Sequence, residues 1–254
     1  MIETKSLTKK YGNLTAVSEL NLQVNPGELF VFLGSNGAGK TTTIKMLTGL
    51  LQPTSGTATI AGFDVVNSPL EVKKVIGYLP DELFLYTKLT GREYLQFIAD
   101  IRGVQKKREK VDRFIDLFEL SQSADELIEG YSLGMKKKVA IGAALIHDPK
   151  VLFLDEPTGG LDPRSAKTMK DILMDIRQRG STVFMTTHIL EIAERMCDRI
   201  GIINSGKLIR VGTMDELRKE AQSGSSLEDI FLELTGKTQD QEIAQFLDDV
   251  TDNS

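Results

Sequence analysis

Gly34-Ser35-Asn36-Gly37-Ala38-Gly39-Lys40-Thr41 is the stretch whose reading decides the fold. It fits the pattern G-x-x-x-x-G-K-[ST] of a phosphate-binding P-loop. An apolar run, Leu29–Leu33, precedes it, and Thr42–Leu51 reads as a helix. In a strand–loop–helix setting, glycines let the backbone close around a polyphosphate. The loop N–H groups then face the anion, and the helix N-terminus adds positive potential. Lys40 is expected to reach the β- and γ-phosphates, Thr41 to ligate Mg²⁺ through its hydroxyl, and Thr42 to touch the α- or β-phosphate. A plain glycine-rich turn would need neither the Lys nor the Thr.

Further short β-rich runs are Val75–Leu79, Val151–Leu154, Thr182–Met185 and Ile200–Ile203. They read as buried strands. Helical spacing lies between them, as at Tyr94, Phe97, Ile98, Ile101 and at Phe114, Leu117, Phe118. The alternation predicts an α/β fold, a P-loop NTPase core with a mainly parallel sheet. The interval from about Leu83 to Ile146 has no convincing strand and reads as an inserted α-helical subdomain, broken at Gly103, Gly130 and Gly134. Residues 1–236 form the expected main domain; residues 237–254 read as an acidic tail with at most one short helix near Ile243–Leu247.

Val151–Leu154 runs into Asp155-Glu156. A carboxylate at a strand end beside a P-loop can hold Mg²⁺, which fits Asp155. Glu156 is then placed to orient or deprotonate an attacking water.

The whole chain carries 31 Lys+Arg against 36 Asp+Glu, a net charge of −5. The tail accounts for −4 of this, through Lys237 against Asp240, Glu242, Asp248, Asp249 and Asp252, so the body is near neutral at −1. The acidity is therefore weak evidence against nucleic acid. The motif set and the lack of Trp, which leaves few stacking platforms, argue against it more strongly. A single cysteine, Cys197, excludes an intrachain disulfide and reads as a packed small residue. The longest nearly unbroken apolar run, Val139 to Ile146, is far short of the ~20 residues of a membrane span. The N-terminus has no apolar run that would make it a signal peptide.

These motifs together resemble the ATP-binding cassette (ABC) ATPase family, over about Ile2 to Gly236. Pro157-Thr158-Gly159-Gly160-Leu161-Asp162-Pro163 looks like its D-loop, and Thr186-Thr187-His188 looks like its switch histidine. Tyr11, in Lys10-Tyr11-Gly12, matches the aromatic that stacks on adenine. Tyr131-Ser132-Leu133-Gly134-Met135 stands where the family has its signature, usually L-S-G-G-Q. The resemblance implies N-terminal antiparallel β elements and a head-to-tail dimer with a second copy or a paralogue. Each ATP would lie between one P-loop and the opposing Ser132 and Gly134, with Asp162 in the D-loop nearby. It also implies that His188 contacts the γ-phosphate.

Two departures stand out. Asp81, in Gly77-Tyr78-Leu79-Pro80-Asp81, stands where the family has its Q-loop Gln. Its oxygen can still serve Mg²⁺, but it adds negative charge beside the γ-phosphate. The signature has Leu133 and Met135 in place of Gly and Gln; this version resembles the ABC-2-type exporter branch, as does the stretch Ser226–Gly236. The expected function is thus the ATPase subunit of an exporter. It would act through a separate membrane permease at the cytoplasmic face of the cell membrane. Leu83-Phe84-Leu85-Tyr86 is either a permease contact or internal packing. His147 reads as a surface residue at a helix end. Lys106-Lys107-Arg108 reads as a solvated face, and Lys136-Lys137-Lys138 as lying near the partner's γ-phosphate. The alternatives are a soluble ABC ATPase of translation or DNA repair and a non-hydrolysing regulatory subunit. Intact Lys40, Asp155, Glu156 and His188 weigh against the latter.

Overall fold

The computed structural model describes residues 1–220 and 226–235; the expected tail helix lies outside them. β1 (Ile2–Tyr11), β2 (Leu14–Val24), β4 (Ser55–Ile60) and β5 (Phe63–Asp64) form an antiparallel sheet in the order β2-β1-β4-β5. A second sheet uses β3 (Leu29–Leu33), β6 (Ile76–Leu79), β7 (Val151–Asp155), β8 (Thr182–Thr187), β9 (Arg199–Asn204) and β10 (Lys207–Gly212). Its order is β10-β9-β3-β8-β7-β6, and every pairing is parallel except β9 with β10.

The helices are α1 (Lys40–Leu47), α2 (Pro69–Val75), α3 (Gly91–Ile101), α4 (Lys107–Leu117), α5 (Leu133–Leu145), α6 (Pro163–Gln178), α7 (Leu190–Met196), α8 (Met214–Glu220) and α9 (Leu227–Thr235). Between about Leu83 and Ile146 the described chain is α3, α4, a short 3-10 turn at Ile128–Gly130 and α5, with one isolated bridge from Thr90 to Leu127.

The central strands β3, β7 and β8 are buried on both faces, which is why they are mostly apolar. Leu29, Val31 and Leu33 of β3 enter the core that also holds α3 to α7 side chains such as Leu95, Ile141, Leu173 and Ala193. Phe30 and Phe32 point to the other core, shared with Ile44 and Met46 of α1 and with Ile2, Leu20 and Ile60 of the antiparallel sheet. There Phe184 gathers Phe30, Phe32 and Phe153 at centroid distances of 5.5–5.6 Å.

Three local expectations are corrected. The helix after the P-loop ends at Leu47, not Leu51: Thr48 closes it, and Gly49 turns left-handed at φ +69°. Val75 closes α2 instead of opening β6. Gly134 does not break a helix, because it lies in the first turn of α5 behind the cap of Ser132.

Candidate active site

In a parallel sheet the C-terminal strand ends share one edge. Here Leu33 of β3 is in register with Thr187 of β8, and Thr186 with Asp155 of β7. The P-loop, His188 and Glu156 therefore emerge side by side. Gly34 N–H donates to the Thr187 carbonyl at 3.4 Å, and Glu156 N–H to the Thr186 carbonyl at 3.3 Å.

The loop itself is shaped by its glycines. Gly39 has φ +106°, and a Cβ there would lie 2.5 Å from the Ala16 carbonyl oxygen, so only glycine fits. Ala38 and Lys40 are buried, while Ser35, Asn36, Gly37 and Thr41 are exposed and Thr42 is half-buried. The Lys40 ammonium donates to the carbonyls of Gly34 at 2.7 Å and Ser35 at 3.1 Å. It also lies 3.4 Å from Glu156 Oε1.

At the end of β7, Asp155 is 1% exposed. Its Oδ1 accepts the Thr186 hydroxyl at 2.5 Å, while Oδ2 is buried without a partner. A buried acceptor with no donor is rare in a native fold, and a hydrated cation is one group that satisfies it. Glu156 follows with φ +49°, a left-handed conformation that costs a non-glycine residue roughly 1–2 kcal/mol. Its carboxylate is only 12% exposed and lies 3.1 Å from His188 Nδ1. Neither His188 nor Lys40 has hydrogen-bond alignment to it, so both oxygens remain available as acceptors. The charge density is felt nearby: burial pushes the Tyr78 phenol up to about 12, helped by Asp155 and Asp81. Asp81 itself is exposed, two residues past the end of β6.

The second group of expected residues is built around the N-termini of α5 and α6. Ser132 caps α5, its hydroxyl accepting from Met135 N–H at 3.3 Å. Asp162 caps α6, accepting from the N–H groups of Arg164 and Ser165 and from the Ser165 hydroxyl at 2.6 Å; these bonds hold its carboxyl below the usual range. A Cβ on Gly134 would lie 3.8 Å from Asp162 Oδ2. The two caps are thus neighbours within one chain. Among the described residues, no hydrogen bond or ion pair links Ser132, Gly134 or Asp162 to the P-loop. Tyr11 is 49% exposed, with the Lys9 ammonium 5.2 Å from its ring centroid.

Sequence reasoning missed one participant. Lys137 is not a solvated or phosphate-facing lysine: it is 3% exposed. Its ammonium donates to the Glu156 carbonyl at 3.2 Å and to the Gly159 carbonyl. Burial lowers its pKa, opposed by Asp81 and Glu156. A run of three lysines carries no signal of which one turns inward. His147 is likewise half-buried, its Nε2 2.9 Å from the Ile76 carbonyl oxygen, and desolvation lowers its pKa. Cys197 is half-buried as a packed residue, with its thiol pushed up to about 12 by burial.

The sequence model of the ABC transporter family matches residues 17–159. The chain belongs to the ABC transporter family. Among its relatives, the bacitracin transport ATP-binding protein BcrA of Bacillus licheniformis is 41% identical, covering 86% of this chain and 72% of that protein. The probable multidrug ABC transporter ATP-binding protein YbhF of Escherichia coli is 39% identical over 92% of this chain. The chain spans only 41% of YbhF's length. The ATP-binding cassette MJ0796, solved as a dimer in a post-hydrolysis state bound to ADP and Pi, superposes with a TM-score of 0.78 at 25% identity, covering 84% of this chain and 99% of that one. In this ABC chain no described helix is long and apolar enough to cross a membrane. Its exposed apolar surface includes Phe84 at 78% and Tyr86 at 62%, while Leu83 and Leu85 pack against the core. The Leu83–Tyr86 segment is therefore divided residue by residue between packing and exposure.

Proposed function

We propose that this chain is the ATP-binding and ATP-hydrolysing subunit of an ABC-2-type exporter. It works through a separate membrane permease at the cytoplasmic face of the membrane. One observation carries the reading: in an ABC family member, Lys40, Asp155, Glu156 and His188 converge where β3, β7 and β8 end. The relatives named for bacitracin transport and multidrug transport support export.

ATP lies with its phosphates over Gly34–Thr42 and its adenine on the exposed ring of Tyr11. Lys40 supplies a positive charge that its two loop carbonyls hold in place. Thr41 and Asp155, with Asp81 beside them, would hold Mg²⁺, which neutralises charge on the β- and γ-phosphate oxygens. The partnerless Oδ2 of Asp155 fits that role. Glu156 accepts a proton from the attacking water, and its nearly buried carboxylate has free acceptor oxygens for it. His188, beside Glu156, donates to the γ-phosphate through a ring N–H. Ser132 and Gly134, at the N-terminus of α5, meet the γ-phosphate bound to a second copy or a paralogue, with Asp162 at the same face. ATP closes this dimer and hydrolysis releases it. Phe84 and Tyr86 offer the permease an apolar contact.

Replacing Glu156 tests the chemistry. Glu156→Gln keeps the shape and removes the base, so phosphate release should fall by at least about 10²-fold. Equal turnover in the two proteins would remove Glu156 from the reaction.

A further inference from the structure

Glu156 holds a left-handed backbone, and such a conformation persists only where its surroundings fix it. Three donors do so here. The Glu156 N–H is tied to Thr186, through both the carbonyl and the hydroxyl of that residue. The Glu156 carbonyl accepts Gly159 N–H at 3.2 Å, closing the turn Glu156-Pro157-Thr158-Gly159. The third donor comes from a different element: the Lys137 ammonium, on α5, reaches both carbonyls that bound this turn, those of Glu156 and Gly159. Burying a lysine at 3% exposure is costly unless its donors are used, and these two carbonyls use them.

We propose that Lys137 is a positioning residue for Glu156: it clamps the turn after β7 from α5 and so fixes where the carboxylate points. The inference rests on the proposed role of Glu156. Lys137 touches neither the phosphates nor the water; it acts through backbone carbonyls. The same clamp ties the helix capped by Ser132 to the strand that carries Asp155.

Lys137→Met keeps the length and the apolar stem and deletes the donors. In the full chain, Lys137→Met should lower kcat by about 10²-fold, the scale on which a misplacement of about 1 Å acts. KM and the Kd for ATP should stay within about twofold, because the P-loop is untouched. Lys137→Arg, which keeps charge and several donors, should recover at least about tenfold of the lost kcat. Hydrogen exchange of the peptide spanning 156–162 should rise in Lys137→Met and return in Lys137→Arg. A kcat within about threefold of the native value in Lys137→Met would overturn the proposal. So would a parallel loss of kcat and ATP affinity, or unchanged exchange at 156–162. If the native chain turned over no faster than Glu156→Gln, the proposed hydrolytic role would fail by itself; the exchange measurement would still decide whether the clamp exists.

Discussion

Asp155 and Glu156 are adjacent in sequence but differ in surroundings. Asp155 ends β7 in ladder conformation, its Oδ1 committed to Thr186 and its Oδ2 open. Glu156 turns left-handed, and its carboxylate lies between Lys40 and His188. That one-residue change of backbone separates the two carboxylates for the two tasks proposed for them, a cation and a water. Asp81 is one of the positions where this chain departs from the pattern it resembles. Its charge is felt by Tyr78 and by Lys137, so it belongs to the same electrostatic neighbourhood as Asp155 and Glu156. If it serves the cation, Asp81→Asn should raise the Mg²⁺ concentration for half-maximal ATPase by at least about threefold, since one anionic oxygen is replaced by a neutral carbonyl. An unchanged Mg²⁺ titration would place Asp81 outside the metal's shell.

At the level of elements, the strands that frame the site were legible because burial on both faces leaves them predominantly apolar, wholly so in Leu29–Leu33. The loop was legible because glycine, lysine and threonine at fixed spacing have few other uses together. The N-terminal strands were harder to read individually. β1 mixes buried Thr4 and Thr8 with lysines, and its pairing with β2 shifts register after Thr4, so strict alternation fails. In α3 the residues at helical spacing divide: Tyr94 is buried and Ile98 packs on the core, whereas Phe97 is 40% and Ile101 64% exposed. The buried face is Tyr94, Leu95 and Ala99, and Leu95 packs on Gly142 of α5, a contact that apolar counting does not see. Lys137 was hidden for a related reason, because only the packing of α5 on the turn after β7 separates it from its neighbours.

A second close contact sets the distance from β6 to α5. A Cβ on Gly77 would lie 2.2 Å from the Ala144 carbonyl oxygen, which is backbone and cannot swing away. Gly77→Ala should therefore destabilise the protein by about 1–3 kcal/mol. Calorimetry should show Tm lower by roughly 2–12 °C. An unchanged Tm would mean that α5 shifts freely on the sheet.

For the whole molecule, the charge and the chemistry separate. Residues 237–254 carry −4 of the net −5, while every proposed nucleotide-contacting residue lies between Tyr11 and His188. Deleting Lys237–Ser254 should leave the Kd for ATP within about twofold, measured by calorimetric titration; a lost site would show that the domain extends past Gly236. The larger claim concerns two chains. Lys40 and Glu156 lie at one edge of the sheet, whereas Ser132, Gly134 and Asp162 cluster elsewhere, with no bond to the P-loop among the described residues. On the proposed reading a γ-phosphate is gripped by one set from each of two cassettes, and one that cannot be hydrolysed should hold the pair closed. The direct measurement is the solution mass of Glu156→Gln with and without MgATP, by light scattering on a sizing column. The account predicts twice the 28.1 kDa chain mass with MgATP and the monomer without it. A monomer under both conditions, with ATP bound, would contradict it.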